Sequence, residues 1–255
     1  MEMRGMMGGF YKISEWIMRL SVTNVLWVIC SIPVFFFAFT ALLTTESTGQ
    51  LVANVIVISI LSPFTLFPAT SAMFSVARKW VMGDTDVPLF KTFFRSYKQN
   101  YVQAMLGGVI YAVLFAVLVV DYQVYLKDLK GFGVLAILFL ALMVLLFVSM
   151  FQFFSLLSHF HMKTLQLIKN AVILTIGRPL RSLSTAIVSG FILYISVFKF
   201  TFLIPFFMGS LIAVFAFFNF YQTIQKMQAK NEAAGDDEEA LPIEDSPTKD
   251  DEENK

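Results

Sequence analysis

The residues of this 255-residue chain whose types could do chemistry are few, and they stand at the edges of long apolar runs. His159 and His161 are the only histidines, and a spacing of two sets them on different helix faces, unlike the i, i+4 pair of a metal-binding helix. The single cysteine, Cys30, lies inside an apolar run, where an inert, buried thiol is expected. There is no phosphate loop, no G-x-S-x-G elbow and no H-E-x-x-H, so neither nucleotide hydrolysis nor ordinary hydrolase chemistry is signalled. The nearest approach to a catalytic set would be Asp84, Asp86, Arg95 and the two histidines gathered at one surface, as an enzyme of lipid-linked substrates would need. The stronger reading is that the chain is not an enzyme, with no catalytic residue, no metal and no cofactor.

Ionisable groups at membrane depth are costly and therefore functional by default, and none stands near the middle of an apolar run. Asp121 and Lys199 lie at run ends, within reach of water. The amides Asn54, Gln152 and Asn219 do fall inside runs. Interhelical hydrogen bonds are their ordinary use; in a protein that conducts a solute they would be its polar groups.

These side chains are carried by elements that composition defines plainly. The chain is 57% hydrophobic, 15% charged and holds 29 phenylalanines, far more apolar than a soluble domain. Charge-free runs occupy 20–45, 51–77, 99–120, 131–158, 182–198 and 200–225. A bilayer core takes about 20 apolar residues as helix, and without water there the backbone must satisfy itself. The expectation is an all-α polytopic transmembrane bundle of about six spans over 20–225. A cytoplasmic segment, 1–19, precedes it and a disordered acidic tail, 226–255, follows. The first run is too long for a signal-peptide core and reads as a retained span, while the boundary between the fifth and sixth, near Lys199, Pro205 and Gly209, is the least defined.

Lys and Arg fix the orientation. Segments assigned to the inside, 1–19, 78–98, 159–181 and the stretch after 225, hold sixteen of them against three outside. Both termini are therefore placed in the cytoplasm. The net charge of +1 hides this bias, because the last 25 residues hold eleven of the eighteen acidic groups. Basic residues confined to short loops argue against nucleic acid as a partner; the bilayer itself is the expected one.

Two inner loops read as basic amphipathic helices lying in the membrane interface. The first follows Gly83-Asp84-Thr85-Asp86-Val87-Pro88, with Asp86 as its N-cap, and sets Phe90, Phe93, Phe94, Tyr97 and Tyr101 against Lys91, Arg95 and Lys98. The second covers Lys163 to Ile176 before Gly177-Arg178-Pro179. Span, basic helix, span thus occurs twice, the form of a direct repeat or of two unrelated anchoring helices. Ala104, Gly108 and Ala112 make a small-residue ridge suited to close internal packing, and Pro63 and Pro68 should kink the second span.

The segment Pro68-Ala69-Thr70-Ser71-Ala72, Arg78, Gly83-Asp84, Pro88 and Phe93-Phe94-Arg95-Ser96-Tyr97-Lys98-Gln99-Asn100 resembles the YesL-like family of bacterial, mainly Gram-positive, integral membrane proteins of unknown function. The resemblance runs from Gly8-Gly9-Phe10-Tyr11 through the last apolar run, and the acidic tail is an addition. It implies no catalytic residues, only genes that tend to lie beside those for sugar uptake and polysaccharide breakdown. Gly83, Asp84, Pro88, Phe94, Arg95 and Asn100 match its motif and are expected to form a structural and partner-docking element. The resulting expectation is an accessory or scaffold protein linked to carbohydrate uptake, its partner a membrane transport complex. The alternative is a permease that forms a solute pathway itself. The sequence names neither solute nor oligomeric state.

Overall fold

A computed structural model describes residues 3–43, 48–127 and 133–239. All regular structure among them is helical: α1 (Met3–Cys30), α2 (Ile32–Leu43), α3 (Thr48–Leu61), α4 (Leu66–Val81), α5 (Leu89–Lys127), α6 (Gly133–His159), α7 (Thr164–Gly177), α8 (Pro179–Phe198), α9 (Leu203–Phe206) and α10 (Met208–Glu239). The compact unit 1–220 contains the features below; 221–255 forms a second unit.

Four helices are long and apolar enough to cross a membrane: Tyr11–Cys30, Leu89–Leu126, Val134–His159 and Pro179–Phe198. The pair Gly49–Leu61 and Leu66–Val81, bent by 56°, makes a fifth if it counts as one span. The expected six is therefore four or five by length and composition. The bend within run 51–77 accounts for one span of the difference and run 200–225 for the other; run 20–45 still supplies the span Tyr11–Cys30, though it too is broken. Pro33 lacks an N–H and cannot continue α1, so run 20–45 divides at Ser31 and leaves α2 with twelve residues, about 18 Å of helix. Run 200–225 opens on the single turn α9 before α10 begins.

Of the two prolines expected to kink the second run, only Pro63 does so. Ser62 and Phe64–Thr65 turn the chain there, with Phe67 N–H donating to the Ser62 carbonyl at 2.9 Å. Pro68 is the third residue of α4, where a first-turn N–H has no helical partner to lose.

The centre of unit 1 is α4. Eleven of its sixteen residues are buried, among them Phe67, Ala69, Ala72, Phe74, Ala77 and Trp80, and α1, α5 and α6 pack around it. Glycines on α5 allow the approach. A Cβ on Gly108 would stand 2.8 Å from the Pro63 backbone and from the Phe67 ring, and one on Gly107 would run into Phe153. The small-residue ridge thus serves packing inside the chain at Ala104, fully buried, and at Gly108. The perimeter is apolar as well: Phe36, Phe39, Val117, Ile137, Ile187 and Phe191 are all more than half exposed, as a lipid-facing surface would be.

Two stretches differ from expectation. Residues 89–101 are not a separate interfacial helix but the first third of α5, a continuous rod of 39 residues, about 58 Å long; no proline or glycine lies between Leu89 and Leu106 to end it. It starts after Pro88, whose carbonyl accepts the Thr92 N–H at 2.9 Å, so Asp86 lies outside the helix and does not cap it. The second basic segment is a separate helix, α7, with Leu167, Ile168, Ala171 and Thr175 buried. At the other end, α10 continues to Glu239, so 226–239 is helical where a disordered tail was expected; its run of Gln, Lys, Glu and Ala favours helix. Residues 240–255, the rest of the acidic tail, lie outside the described residues.

Candidate functional site

A polar concavity of about 500 Å³ opens where the end of α4 meets the start of α5 and the α6–α7 turn. Helical spacing builds it. On α4, Ser75, Arg78 and Lys79 recur at i, i+3 and i+4; on α5, Lys91, Arg95, Gln99 and Gln103 recur every four residues, flanked by Thr92, Ser96 and Asn100. Ser158, Phe160 and His161 close the third side.

Its frame is held by hydrogen bonds to the orphan carbonyls at the end of α6. Arg78 donates Nη1–H to the Ser158 carbonyl at 2.9 Å, and Gln103 donates Nε2–H to the Met162 carbonyl at 2.8 Å. A guanidinium at a helix C-terminus also meets the negative end of the helix dipole. Asn100 reaches Ser75 Oγ at 3.4 Å, and that hydroxyl donates to the Ser71 carbonyl at 2.9 Å. The Arg78 Nε is buried with no protein acceptor.

Electrostatically the cavity is one-sided. Arg78, Lys79, Lys91 and Arg95 line it, with His161, and no carboxylate does. Asp84 lies 3.6 Å from Lys79, but both side chains are about half exposed, so the pair stabilises little. The lining therefore offers cationic and amide donors together with serine and threonine hydroxyls, a surface suited to holding an anion bearing hydroxyl groups.

A second polar hollow, beside Met162, Lys163 and Gln166, shares Gln103 and His161 with this cavity; along α5 beyond Gln103 the polar lining stops. Gly107 lies against Phe153, and Phe67, Phe74 and Phe154 stack at centroid distances of 5.2 and 5.5 Å. Two smaller cavities lie among these rings: one of about 250 Å³ between Trp27, Phe67, Phe151 and Ile212, and one of about 220 Å³ beside Ser62, Pro63 and Tyr111. Neither shares a lining residue with the cationic cavity.

The six motif residues divide. Pro88, Arg95 and Asn100 converge on the cavity. Gly83, at φ +95°, and Asp84, whose N–H reaches the Lys79 carbonyl at 2.9 Å, form the turn that ends α4. Phe94 is 43% exposed and lies off the cavity. The three pathway amides are not brought together: Asn54, on α3, and Gln152, on α6, are buried, Asn219 donates to Thr185 Oγ1 at 3.0 Å, and none lines the cavities above. The histidines part as well, His161 to the cavity and His159 onto the Phe217 and Phe220 rings.

Sequence reasoning missed Ser75, Arg78, Lys79 and Gln103 as cavity residues, though the four-residue polar stripe on α5 was there to extend. It also passed over Asn24, fully buried on α1. Its Oδ1 accepts the N–H groups of Gly209 at 2.8 Å and Ser210 at 3.0 Å, and its Nδ2–H reaches the Ile204 carbonyl at 2.8 Å. Phe207, just before α10, has no capping oxygen, so a side chain some 185 residues away supplies one.

An all-helical bundle with a lipid-compatible perimeter, an aromatic interior and a cationic cavity among its helices defines a polytopic membrane protein. Residues 20–122, which include α4, the turn after it and most of α5, match the family described as "Protein of unknown function, DUF624". Among curated proteins of Bacillus subtilis (strain 168), the chain is 30% identical to "Uncharacterized protein YteU" over 180 residues, 69% of this chain and 68% of that one. It is 27% identical to "Uncharacterized protein YesL" over 229 residues, covering 89% and 96% of the two chains. To "Uncharacterized protein YesV" it is 29% identical over 170 residues, 66% and 81% of the two. The chain belongs to this YesL-like DUF624 family. No solved structure matches it.

Proposed function

We propose that the protein is a non-enzymatic accessory component of the bacterial plasma membrane that works with a membrane transport complex, one of carbohydrate uptake, through the cationic end of its bundle. One observation carries the reading: the cavity's polar lining does not continue along α5 into the bundle. It ends at Gln103; Gly107, one turn on, lies against Phe153, and the cavities among Phe67, Phe154 and their neighbours are walled mainly by apolar side chains. A conduit needs polar groups through its depth, and Asn54, Gln152 and Asn219 are scattered instead. The Ser75 and Ser158 hydroxyls in the lining donate to the Ser71 and Ser155 carbonyls rather than to a base.

The excess of Lys and Arg in 1–19, 78–98, 159–181 and after 225 supports the cavity's opening to the cytoplasm. Cytoplasmic termini at both ends require the apolar part of α10 to cross as a sixth span. The link to carbohydrate uptake rests on the family resemblance alone.

The test is purification of the tagged full chain from its native membrane in mild detergent, under conditions that keep importer complexes intact. Recovery of a transport permease in fixed ratio is expected. Recovery of the chain alone overturns the proposal, as does sugar flux through vesicles that contain only this protein.

A further inference from the structure

We infer that the cavity between α4, α5 and the α6–α7 turn is a binding site for a phosphate-bearing polyol. This goes beyond the accessory reading and is measured on the isolated chain, so either can fail without the other.

The argument starts from charge. A space of about 500 Å³, equivalent to a sphere about 5 Å in radius, has Arg78, Lys79, Lys91 and Arg95 on its wall and no carboxylate. Like charges four residues apart on a helix, as Lys91 and Arg95 are, repel, and among the described residues neither has a carboxylate within 4 Å. An anion removes that cost. Both arginines can offer paired N–H groups, the geometry that suits phosphate oxygens, and the Arg78 Nε already stands buried without an acceptor. A phosphate ester, with one or two negative charges and two or three non-bridging oxygens, suits paired guanidinium donors better than a carboxylate does.

The rest of the lining specifies what the phosphate is attached to. Thr92, Ser96, Gln99 and Asn100 add hydroxyl and amide groups on the α5 wall, while Pro88, Leu157, Phe160 and the carbon stems of the long side chains supply its apolar part. Such a wall hydrogen-bonds hydroxyl groups and packs against the carbon skeleton that bears them. The volume falls in the range of small-molecule sites. Glycerol phosphate or a hexose phosphate fits this description, and so does the headgroup of phosphatidylglycerol presented from the adjoining leaflet; the recognised chemistry is the same.

The experiment uses the full-length protein in mild detergent. Glycerol 3-phosphate and glucose 6-phosphate are titrated calorimetrically against glycerol and glucose. In parallel, native mass spectrometry compares retention of phosphatidylglycerol with phosphatidylcholine after exchange from nanodiscs. Saturable binding of the soluble phosphates identifies a soluble ligand; selective retention of phosphatidylglycerol identifies a lipid. In either arm, Lys91→Gln and Arg95→Gln should each weaken binding on the order of tenfold. Lys98→Gln, on the same helix but off the cavity, should leave it unchanged. Both cavity cations are exposed, so these variants are expected to fold; melting curves check it. The site assignment is overturned by absence of binding in both arms, by affinity that is indifferent to Lys91 and Arg95, or by equal loss with Lys98→Gln, which would mean nonspecific attraction.

Discussion

Replacing Asn24 with alanine removes three hydrogen bonds at once and should loosen the start of α10 before anything else. The Oδ1 acceptor serves the second and third N–H groups of that helix, and the Nδ2 donor serves the Ile204 carbonyl. None of these has another partner nearby in a packed apolar setting, because α10 begins after Phe207 and Trp27 covers Gly209. Each orphaned buried group costs about 1–3 kcal/mol. The two amides share one oxygen, so the total should be about 3–5 kcal/mol rather than the full sum. Asn24→Asp separates the parts, since a carboxylate keeps the acceptor at the positive end of the helix dipole and loses only the donor. The assay is hydrogen exchange of the peptide containing Gly209 and Ser210, with the melting midpoint read from tryptophan emission in detergent. Asn24→Ala should lose protection there and Asn24→Asp should keep most of it. Equal protection in wild type and Asn24→Ala would refute the cap, and with it the idea that α1 fixes α10.

Three further outcomes follow from the packing and the charge pattern. Gly108→Ala and Gly107→Ala should each destabilise by about 1–2 kcal/mol in detergent melts, as clashes with the Pro63 backbone and the Phe153 ring outweigh the helix propensity gained; Gly190→Ala, in open space, should gain up to about 1 kcal/mol. Arg78→Met leaves the Ser158 carbonyl without its guanidinium donor and should raise proteolysis at the α6–α7 turn, with Arg78→Lys showing part of the effect. Alkaline phosphatase fused after residue 45 or 130 should be active and after Gly83 silent; the opposite pattern would place the cationic cavity outside the cell.

How much of this was legible beforehand depended on whether the signal was local. Every apolar run became helix, because the cost of bare peptide groups in oil acts residue by residue. The break at Pro63 and the turn at Gly83-Asp84 were readable for the same reason, each being a property of a few adjacent residues. Length along a helix was less so: the basic segment at 89–101 resembled an independent surface helix, and only the lack of any breaker before Gly107 reveals that it continues into the span. The cavity was half visible. Pro88, Arg95 and Asn100 belonged to a recognised motif and share one wall, but their facing partners Ser75 and Arg78 lie on another helix, and periodicity on one element says nothing of which face of a neighbour it meets. Asn24 was invisible for the strongest version of that reason, since its partners are backbone groups about 185 residues away.

The dry interior and the cationic mouth are two consequences of one helix. Along α4 the side chains are uncharged and mostly apolar up to Ala77, which lets α1, α5 and α6 close around it, and then Arg78 and Lys79 line the cavity. Sixteen residues make a rod of about 24 Å, anchored at one end by the Pro63 contact with Gly108 and at the other by Arg78 on the Ser158 carbonyl. Because packed helices move as units rather than bending freely, occupancy of the cavity and packing at the proline break should be felt by each other. A ligand that pulls Arg78 away from Ser158 would release the α6–α7 turn while leaving the aromatic layer closed. On the proposed function, such a protein would report on an anion at the cavity without letting it through, which is what would distinguish a membrane-embedded receptor from a transporter.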